Sequence, residues 1–169
     1  MKKLLIAFVF CLGVPAHAAV TSSSAFASFN SHIYGSVGFT QGGFAFGADY
    51  EMGYHRTFGI GGYARIYSKD TAKGAHGITL AGAFIRPHFH RGSWDFHLTG
   101  GFAIQSITAG TTGGKDETAL GPALGYAMFY HLKDELSLGL ERLDHFGWIA
   151  DNYKGPTMSD LAFKVRFSF

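Results

Sequence analysis

Several stretches of this sequence alternate large apolar residues with small or polar ones, and most of the titratable residues within these stretches share one face. Successive side chains of a strand point to opposite faces, so this pattern collects the titratable groups on one face. If that face lines an enclosed space, each charge must find a partner or water, because an unpaired buried charge is very costly. The candidate set is Asp49, Glu51, Arg65, Asp95, His97, Glu141, Asp160, Lys164 and Arg166.

These opposite charges could have either of two roles. The charges could form a network of salt bridges and water that fills the enclosed space and fixes the register of the strands. They could instead line a narrow gated pore, in which rearranged pairs let small solutes pass. The preferred pairing places Asp49 and Glu51 of one strand opposite Arg65 of the next.

The sequence offers few groups of residues that could form a metal-binding or catalytic site. His88 and His90 lie on the same face of one strand and could contribute two metal ligands. No third ligand is evident, so no metal or other cofactor is predicted. Asp144 and His145 with a remote serine could imitate a hydrolase triad, yet any chain with nine histidines offers such combinations. We therefore predict that the protein is not an enzyme.

The N-terminus has the pattern of a secretory signal peptide. A positively charged start is followed by an apolar run from Leu4 to Val14 and an A-x-A cleavage signal ending at Ala18. That run is shorter than the about 20 apolar residues of a spanning helix. We expect export through the inner membrane, cleavage after Ala18 and a single domain over residues 19–169. Cys11 would leave with residues 1–18, so no disulfide is predicted.

The charge balance of the exported chain argues against a nucleic-acid partner. The full sequence has 14 Lys and Arg against 12 Asp and Glu, and the two N-terminal lysines would leave with the signal peptide. The remaining charges cancel, whereas a nucleic-acid-binding domain carries a basic surface.

Alternating apolar residues, abundant glycine and scarce proline predict an all-β domain. After the signal peptide there is no run of 18 or more apolar residues, so a spanning helix is not expected. The alternation predicts eight antiparallel strands in an up-and-down order, each near the roughly 9–11 residues that cross a bilayer at a tilt. The predicted strand ranges are 33–40, 44–54, 58–68, 78–89, 94–107, 120–130, 136–146 and 161–169.

The polarity of these strands predicts a transmembrane barrel rather than a soluble, lipocalin-like one. The interior of an eight-stranded barrel is just wide enough to be filled by side chains. The apolar face carries more aromatic residues than such an interior can hold. The opposite face is rich in Gly, Ala and Ser. We therefore expect the large side chains to face lipid. On the fourth strand this assigns Ile78, Leu80 and Phe84 to the outside.

The connections and the aromatic residues predict an orientation for the barrel. Short connections, expected to be periplasmic turns, are 55–57, 90–93 and 131–134. Longer connections, expected to be outer loops, are 69–76, 108–118 and 147–158; the connection 41–43 is an exception. Aromatic residues at the periplasmic ends predict an interfacial girdle of Tyr54, Phe58, Trp94, Tyr130 and Phe169. A sparser outer girdle would comprise Tyr67, Trp148 and Tyr153.

The segment 120–147 resembles the penultimate hairpin of the OmpA-like, OmpX-like and opacity-type small barrels. Their G-x-G-x-x-Y strand is approximated by Gly121, Gly125 and Tyr126, and their L-S-L-x-x-E strand by residues 136–141. The alternating C-terminal strand, which ends on Phe169, is similar to the signature that the barrel-assembly machinery reads. The resemblance implies an eight-stranded outer-membrane barrel with a polar, mostly plugged interior. It also implies that Glu141 is the lumen carboxylate of the seventh strand.

A second resemblance is to lipid A deacylases of the PagL type, which carry His-x-Ser-Asn late in the seventh strand. His145 lies at the histidine position, but Gly147 stands in place of the nucleophilic serine and Trp148 in place of the asparagine. Because a serine hydrolase needs its hydroxyl beside the base, this departure argues against the activity.

The sequence therefore predicts a monomeric outer-membrane barrel with a structural or interaction role in the cell envelope. A narrow passive channel is the alternative, and a lipid A-modifying enzyme is a third hypothesis. The expected partners are outer-membrane lipid, lipopolysaccharide and the barrel-assembly machinery. Lipopolysaccharide or another partner would contact the loop residues Trp148, Ile149, Tyr153 and Lys154.

Overall fold

A computed structural model describes residues 31–40, 43–68, 75–109 and 115–169 of the chain. The predicted signal peptide, its cleavage site and Cys11 lie outside these ranges. The described strands are β1 Ser31–Thr40, β2 Gly43–His55, β3 Phe58–Tyr67, β4 Ala75–Arg91, β5 Trp94–Ala109, β6 Glu117–His131, β7 Leu136–Gly147 and β8 Gly155–Ser168. Among the described residues, no helix has the length and apolar character needed to cross a membrane.

The eight strands form a closed antiparallel barrel in sequence order, which confirms the predicted fold class. β1 closes the barrel against β8, in a register that runs from His32 opposite Ser168 to Thr40 opposite Asp160. Backbone bonds of 2.9 and 3.0 Å between Ser31 and Phe169 complete this seam. Closure pairs the backbone groups that an open sheet would leave at its edges.

The two ends of the barrel differ. One end, called the turn end below, carries the short β2–β3, β4–β5 and β6–β7 connections together with Ser31 and Phe169. The opposite end is called the loop end. β8 is longer than predicted because its pairing with β7 continues to Gly147 opposite Gly155, past a register shift at Phe146. Gly155 has a φ of 87°, a conformation that favours glycine at this strand start.

Large apolar side chains cover the outside of the barrel, as the strand polarity predicts. Phe46, Leu98 and Phe163 are exposed on this outer surface, whereas Glu51 and Arg166 are buried inside. Such an exterior suits lipid, because hydrocarbon replaces water as the surrounding medium. Inside, apolar side chains concentrate towards the loop end, where Ile78, Leu80 and Ile107 belong to one buried cluster.

The predicted facing of β4 is wrong. Ile78, Leu80 and Phe84 are only 1, 2 and 3% exposed and point into the barrel. Positions two apart on a strand share a face, so Arg86 and His88, further along the same strand, decide the facing. Their polar groups cannot face lipid at an acceptable cost, and the apolar residues of the same parity are therefore carried inward.

Two aromatic residues of the predicted outer girdle also lie elsewhere. Tyr67 is buried in the lumen, where its hydroxyl donates a 2.8 Å hydrogen bond to Asp160 Oδ2. Tyr153 is buried against the apolar cluster of the loop end. A tyrosine fills interior space while keeping its hydroxyl bonded, which explains the inward position of Tyr67. Trp148 alone of the three is strongly exposed, at 70%.

Candidate functional site

The middle of the lumen holds a buried group of charges, called the central ion cluster below. Its five members come from β2, β3, β4, β7 and β8 and are Asp49, Arg65, Arg86, Glu141 and Lys164. All five side chains are essentially inaccessible to solvent. A group contributed by five strands ties together distant parts of the barrel wall.

Glu141 pairs with all three cations of this cluster. Its carboxylate accepts hydrogen bonds of 2.9 Å from Arg65 Nη2 and of 2.9 and 3.0 Å from Lys164 Nζ. Arg86 Nη2 lies 3.3 Å from the second oxygen of Glu141. Hydrogen bonds between ionised groups are stronger than neutral ones, so a carboxylate shared in this way is strongly held.

Asp49 contacts the same three cations as Glu141. It pairs with Arg65 and with Lys164, and accepts a 2.6 Å hydrogen bond from Arg86 Nη2. Aromatic rings add to the enclosure, since the Arg86 guanidinium lies 3.8 Å from the centre of the Phe84 ring. The central ion cluster thus satisfies each charge with partners from several strands.

A second group, the turn-end cluster, lies between the central ion cluster and the turn end. It consists of Glu51, His88, His90, Asp95 and Arg166. His88 bridges its two carboxylates, with Nε2 lying 2.8 Å from Glu51 Oε1 and Nδ1 lying 3.1 Å from Asp95 Oδ2. Arg166 pairs with Asp95 and also donates a 3.2 Å hydrogen bond to Ser137 Oγ.

Two glycines make room for these charges. A Cβ at position 59 would lie 1.9 Å from Glu51 Oε1, and a Cβ at position 47 would lie 2.4 Å from Arg65 Cδ. Both Gly47 and Gly59 face the lumen, so their missing side chains leave the space that the long charged side chains occupy. Glycine in a strand interior often marks such a close approach.

The predicted lumen residues are distributed among three places. Asp49 pairs with Arg65 as the preferred pairing proposed, but Glu51 lies instead with His88 and within 3.4 Å of Arg86 Nη1. His97 lies beside the central ion cluster, with Nε2 3.6 Å from Glu141 Oε2. Asp160 lies apart near the loop end with Tyr67, as described above.

Sequence reasoning missed several polar residues of the lumen. Arg86 joins both clusters, His88 bridges two carboxylates, and Tyr34 donates a hydrogen bond to Glu51 Oε2. The signal for Arg86 and His88 was available, since an alternating strand containing both must direct them to one face. The apolar residues at Ile78 and Leu80 concealed that signal.

The predicted inner girdle residues lie at the turn end of their strands. Four are exposed on the outer surface, namely Tyr54, Trp94, Tyr130 and Phe169, and Phe58 is partly buried. The rings of Trp94 and Tyr130 pack edge to face with centroids 5.0 Å apart. Amphipathic rings in this position suit a membrane–water interface.

The sequence pair Asp144–His145 does not form a catalytic relay. His145 points into the lumen and stacks on Tyr63 with ring centroids 5.7 Å apart. Asp144 occupies the other face of β7, where it pairs with Arg142 and Ser159. Adjacent strand residues face opposite sides, so the two cannot share a hydrogen bond.

The position of a deacylase serine is also closed. A Cβ added at Gly147 would lie 2.0 Å from the Tyr153 carbonyl oxygen, so a serine would not fit there without movement of the backbone. The loop that follows is held against β6 by Glu117. Its carboxylate accepts hydrogen bonds from the backbone amides of Asp151 and Asn152, at 2.6 and 3.0 Å.

Solved structures similar to this chain are small β-barrels. The N-terminal β-barrel domain of Pseudomonas aeruginosa OprF aligns with a TM-score of 0.65 at 15% identity, covering 82% of this chain and 98% of that one. Neisserial surface protein A aligns with a TM-score of 0.62 at 14% identity, covering 82% and 94%. A designed transmembrane β-barrel aligns at 0.56 and 10% identity, covering 82% and 94%.

No protein-family model matches the sequence, and no curated protein matches it significantly. At these identities the likeness concerns the fold and not the activity. The inverted polarity, the closed eight-stranded topology and these neighbours agree: the chain has the fold of the small eight-stranded outer-membrane β-barrels.

Proposed function

We propose that this protein is an integral outer-membrane barrel with a structural or interaction role in the cell envelope, and that its charged lumen is a closed plug. The observation that carries the proposal is the central ion cluster, in which Glu141 and Asp49 pair with cations from three other strands. Moving any one of these side chains would break at least two buried ion pairs, which opposes an open pathway.

The membrane location is tested by fractionation and gel mobility. We expect the protein in the outer-membrane fraction, with folded mobility that changes on heating, after removal of residues 1–18. N-terminal sequencing of the membrane-bound protein should begin at Ala19. A detergent-free soluble monomer would contradict the location, because the exposed apolar surface requires lipid or detergent.

The closed lumen is tested by conductance in planar bilayers. We expect no conductance steps from the wild-type barrel, because the central ion cluster leaves no continuous solvent path through the lumen. Stepwise openings that change when Glu141 is replaced by Ala would establish the alternative, a narrow channel gated by these pairs. Asp144→Ala is the matched control, since Asp144 lies on the same strand but faces outward.

The loop end offers a surface for lipopolysaccharide. Trp148 and Ile149 are strongly exposed there, and Lys154 adds a cation. Apolar side chains beside a cation match the acyl chains and phosphates of that lipid. We expect vesicles containing lipopolysaccharide to bind the wild-type barrel more strongly than Lys154→Glu; equal binding would contradict this assignment.

The C-terminal residue and the oligomeric state complete the proposal. Phe169 lies exposed at the seam between β8 and β1, where assembly machinery could read it. Replacement of Phe169 by Ser should lower the amount of assembled barrel in cells while leaving refolding in detergent unchanged.

We expect the protein to be a monomer in detergent, because barrel closure leaves no unpaired strand edge for a second copy.

A further inference from the structure

The turn-end cluster contains three side chains that converge on one point. His88 and His90 are two residues apart on β4, and Asp95 on β5 is directly paired with His90. One ligand atom from each lies within 4.8 Å of the others. The register across the short β4–β5 turn therefore supplies the third ligand that is not evident in the sequence.

In the described structure His90 contacts the rings of His88 and His131 but makes no hydrogen bond. Its side chain is only 5% exposed, and neither ring nitrogen makes a hydrogen bond. The closest approach is 3.4 Å, between Nε2 and Asp95 Oδ1. A buried polar group without a partner is costly, so a ligand at this nitrogen would relieve a real penalty.

We propose that His88 Nδ1, His90 Nε2 and Asp95 bind a divalent transition metal ion, for which zinc is the probe. Ligands at about 2.0–2.2 Å from a tetrahedral zinc ion lie about 3.3–3.6 Å from one another. The separations between Asp95 oxygens and the two imidazole nitrogens are 3.1 and 3.4 Å, close to that requirement. Two imidazoles and one carboxylate leave the fourth position open to water.

Glu51 orients one ligand of the proposed metal site. Its Oε1 lies 2.8 Å from His88 Nε2, so His88 can present Nδ1 to a metal while Nε2–H donates to the carboxylate. A carboxylate that orients a metal-bound histidine in this way is a common outer-sphere arrangement. Tyr34 in turn holds Glu51 through a hydrogen bond from its hydroxyl.

A metal ion would add positive charge to the turn-end cluster. With neutral histidines the cluster itself holds Glu51 and Asp95 against Arg166, and Arg86 of the central ion cluster lies 3.4 Å from Glu51 Oε2. A proton on His88 is the competing way to add positive charge, because it would serve both carboxylates. A proton on His88 does not involve His90, so a substitution at His90 distinguishes protonation from metal binding.

The test uses untagged, refolded barrel in detergent, freed of metal by chelation and titrated with zinc in a calorimeter. We expect one ion for each chain, and at least a tenfold weaker affinity for His90→Ala. His90 makes no hydrogen bond, so this variant should retain heat-modifiable mobility. His55→Ala is the matched control, because His55 is exposed at another turn of the same end.

Two further measurements make the outcome decisive. Cobalt substituted for zinc should give visible absorption bands of a four-coordinate site in the wild type and not in His90→Ala. Glu51→Gln should weaken zinc binding about 10–100-fold while the three ligands remain. Absence of stoichiometric binding, or equal binding by His90→Ala and the wild type, would overturn the proposal in favour of a protonated His88.

Discussion

Replacing Glu141 with Gln is the sharpest perturbation of the central ion cluster. The wild-type cluster contains three cations and two carboxylates. The substitution keeps the shape of the side chain but leaves Arg65, Arg86 and Lys164 with Asp49 as their only carboxylate within the cluster. Removing one partner of a buried ion pair costs about 3–5 kcal/mol, so we expect a loss of that size in the free energy of unfolding.

A second substitution tests whether charge is the cause. Lys164→Met removes one of the cations that Glu141 holds, so the double variant restores the difference of one charge found in the wild type. We therefore expect the double variant to lose clearly less stability than the two single variants added together, with an interaction of about 1–3 kcal/mol.

The assay is reversible urea unfolding of the barrel in lipid vesicles, followed by tryptophan fluorescence and gel mobility. Asp144→Asn serves as the control, because Asp144 forms a partly exposed pair with Arg142 and should change stability by less than about 1 kcal/mol. Additive losses in the double variant, or a loss below about 1 kcal/mol for Glu141→Gln, would refute the claim that the cluster holds the lumen together.

Two other predictions concern packing and facing. Gly59→Ala should destabilise the barrel by about 1–3 kcal/mol, because the new Cβ would displace Glu51, whereas Gly35→Ala meets nothing within 4 Å and should be tolerated in the same urea assay. A fluorophore on Ile85→Cys should be quenched by brominated lipid, because Ile85 lies on the outer face, whereas a cysteine at Leu80 should be protected. Equal losses at both glycines, or quenching at Leu80, would contradict these assignments.

The parity of β2, and of β8 from Leu161 onward, could be predicted because their large and polar residues alternate. In β8, Phe163 and Phe167 face outward, while Lys164 and Arg166 face inward. The same rule failed for β4 because both of its faces contain apolar residues and only its second half contains charges. In such a strand the most costly residue to misplace, Arg86, decides the facing.

The partners of the lumen charges could not be predicted to the same extent. Asp49 faces Arg65 across adjacent strands, which is a local relation that a strand threading can propose. Glu141 and Arg65 are 76 residues apart and meet across the lumen. Their contact depends on the curvature of the closed wall and on the lengths of the side chains, and neither is a property of neighbouring residues.

The sequence by itself determined the number of strands, their up-and-down order and the inversion of polarity. These follow from alternation, which each strand carries locally because successive side chains take opposite faces. Only the tertiary structure decided which charges share a partner across the lumen, where Arg65, Arg86 and Lys164 all meet Glu141. Those relations arise when the sheet closes, because closure fixes distances between residues that no local pattern connects.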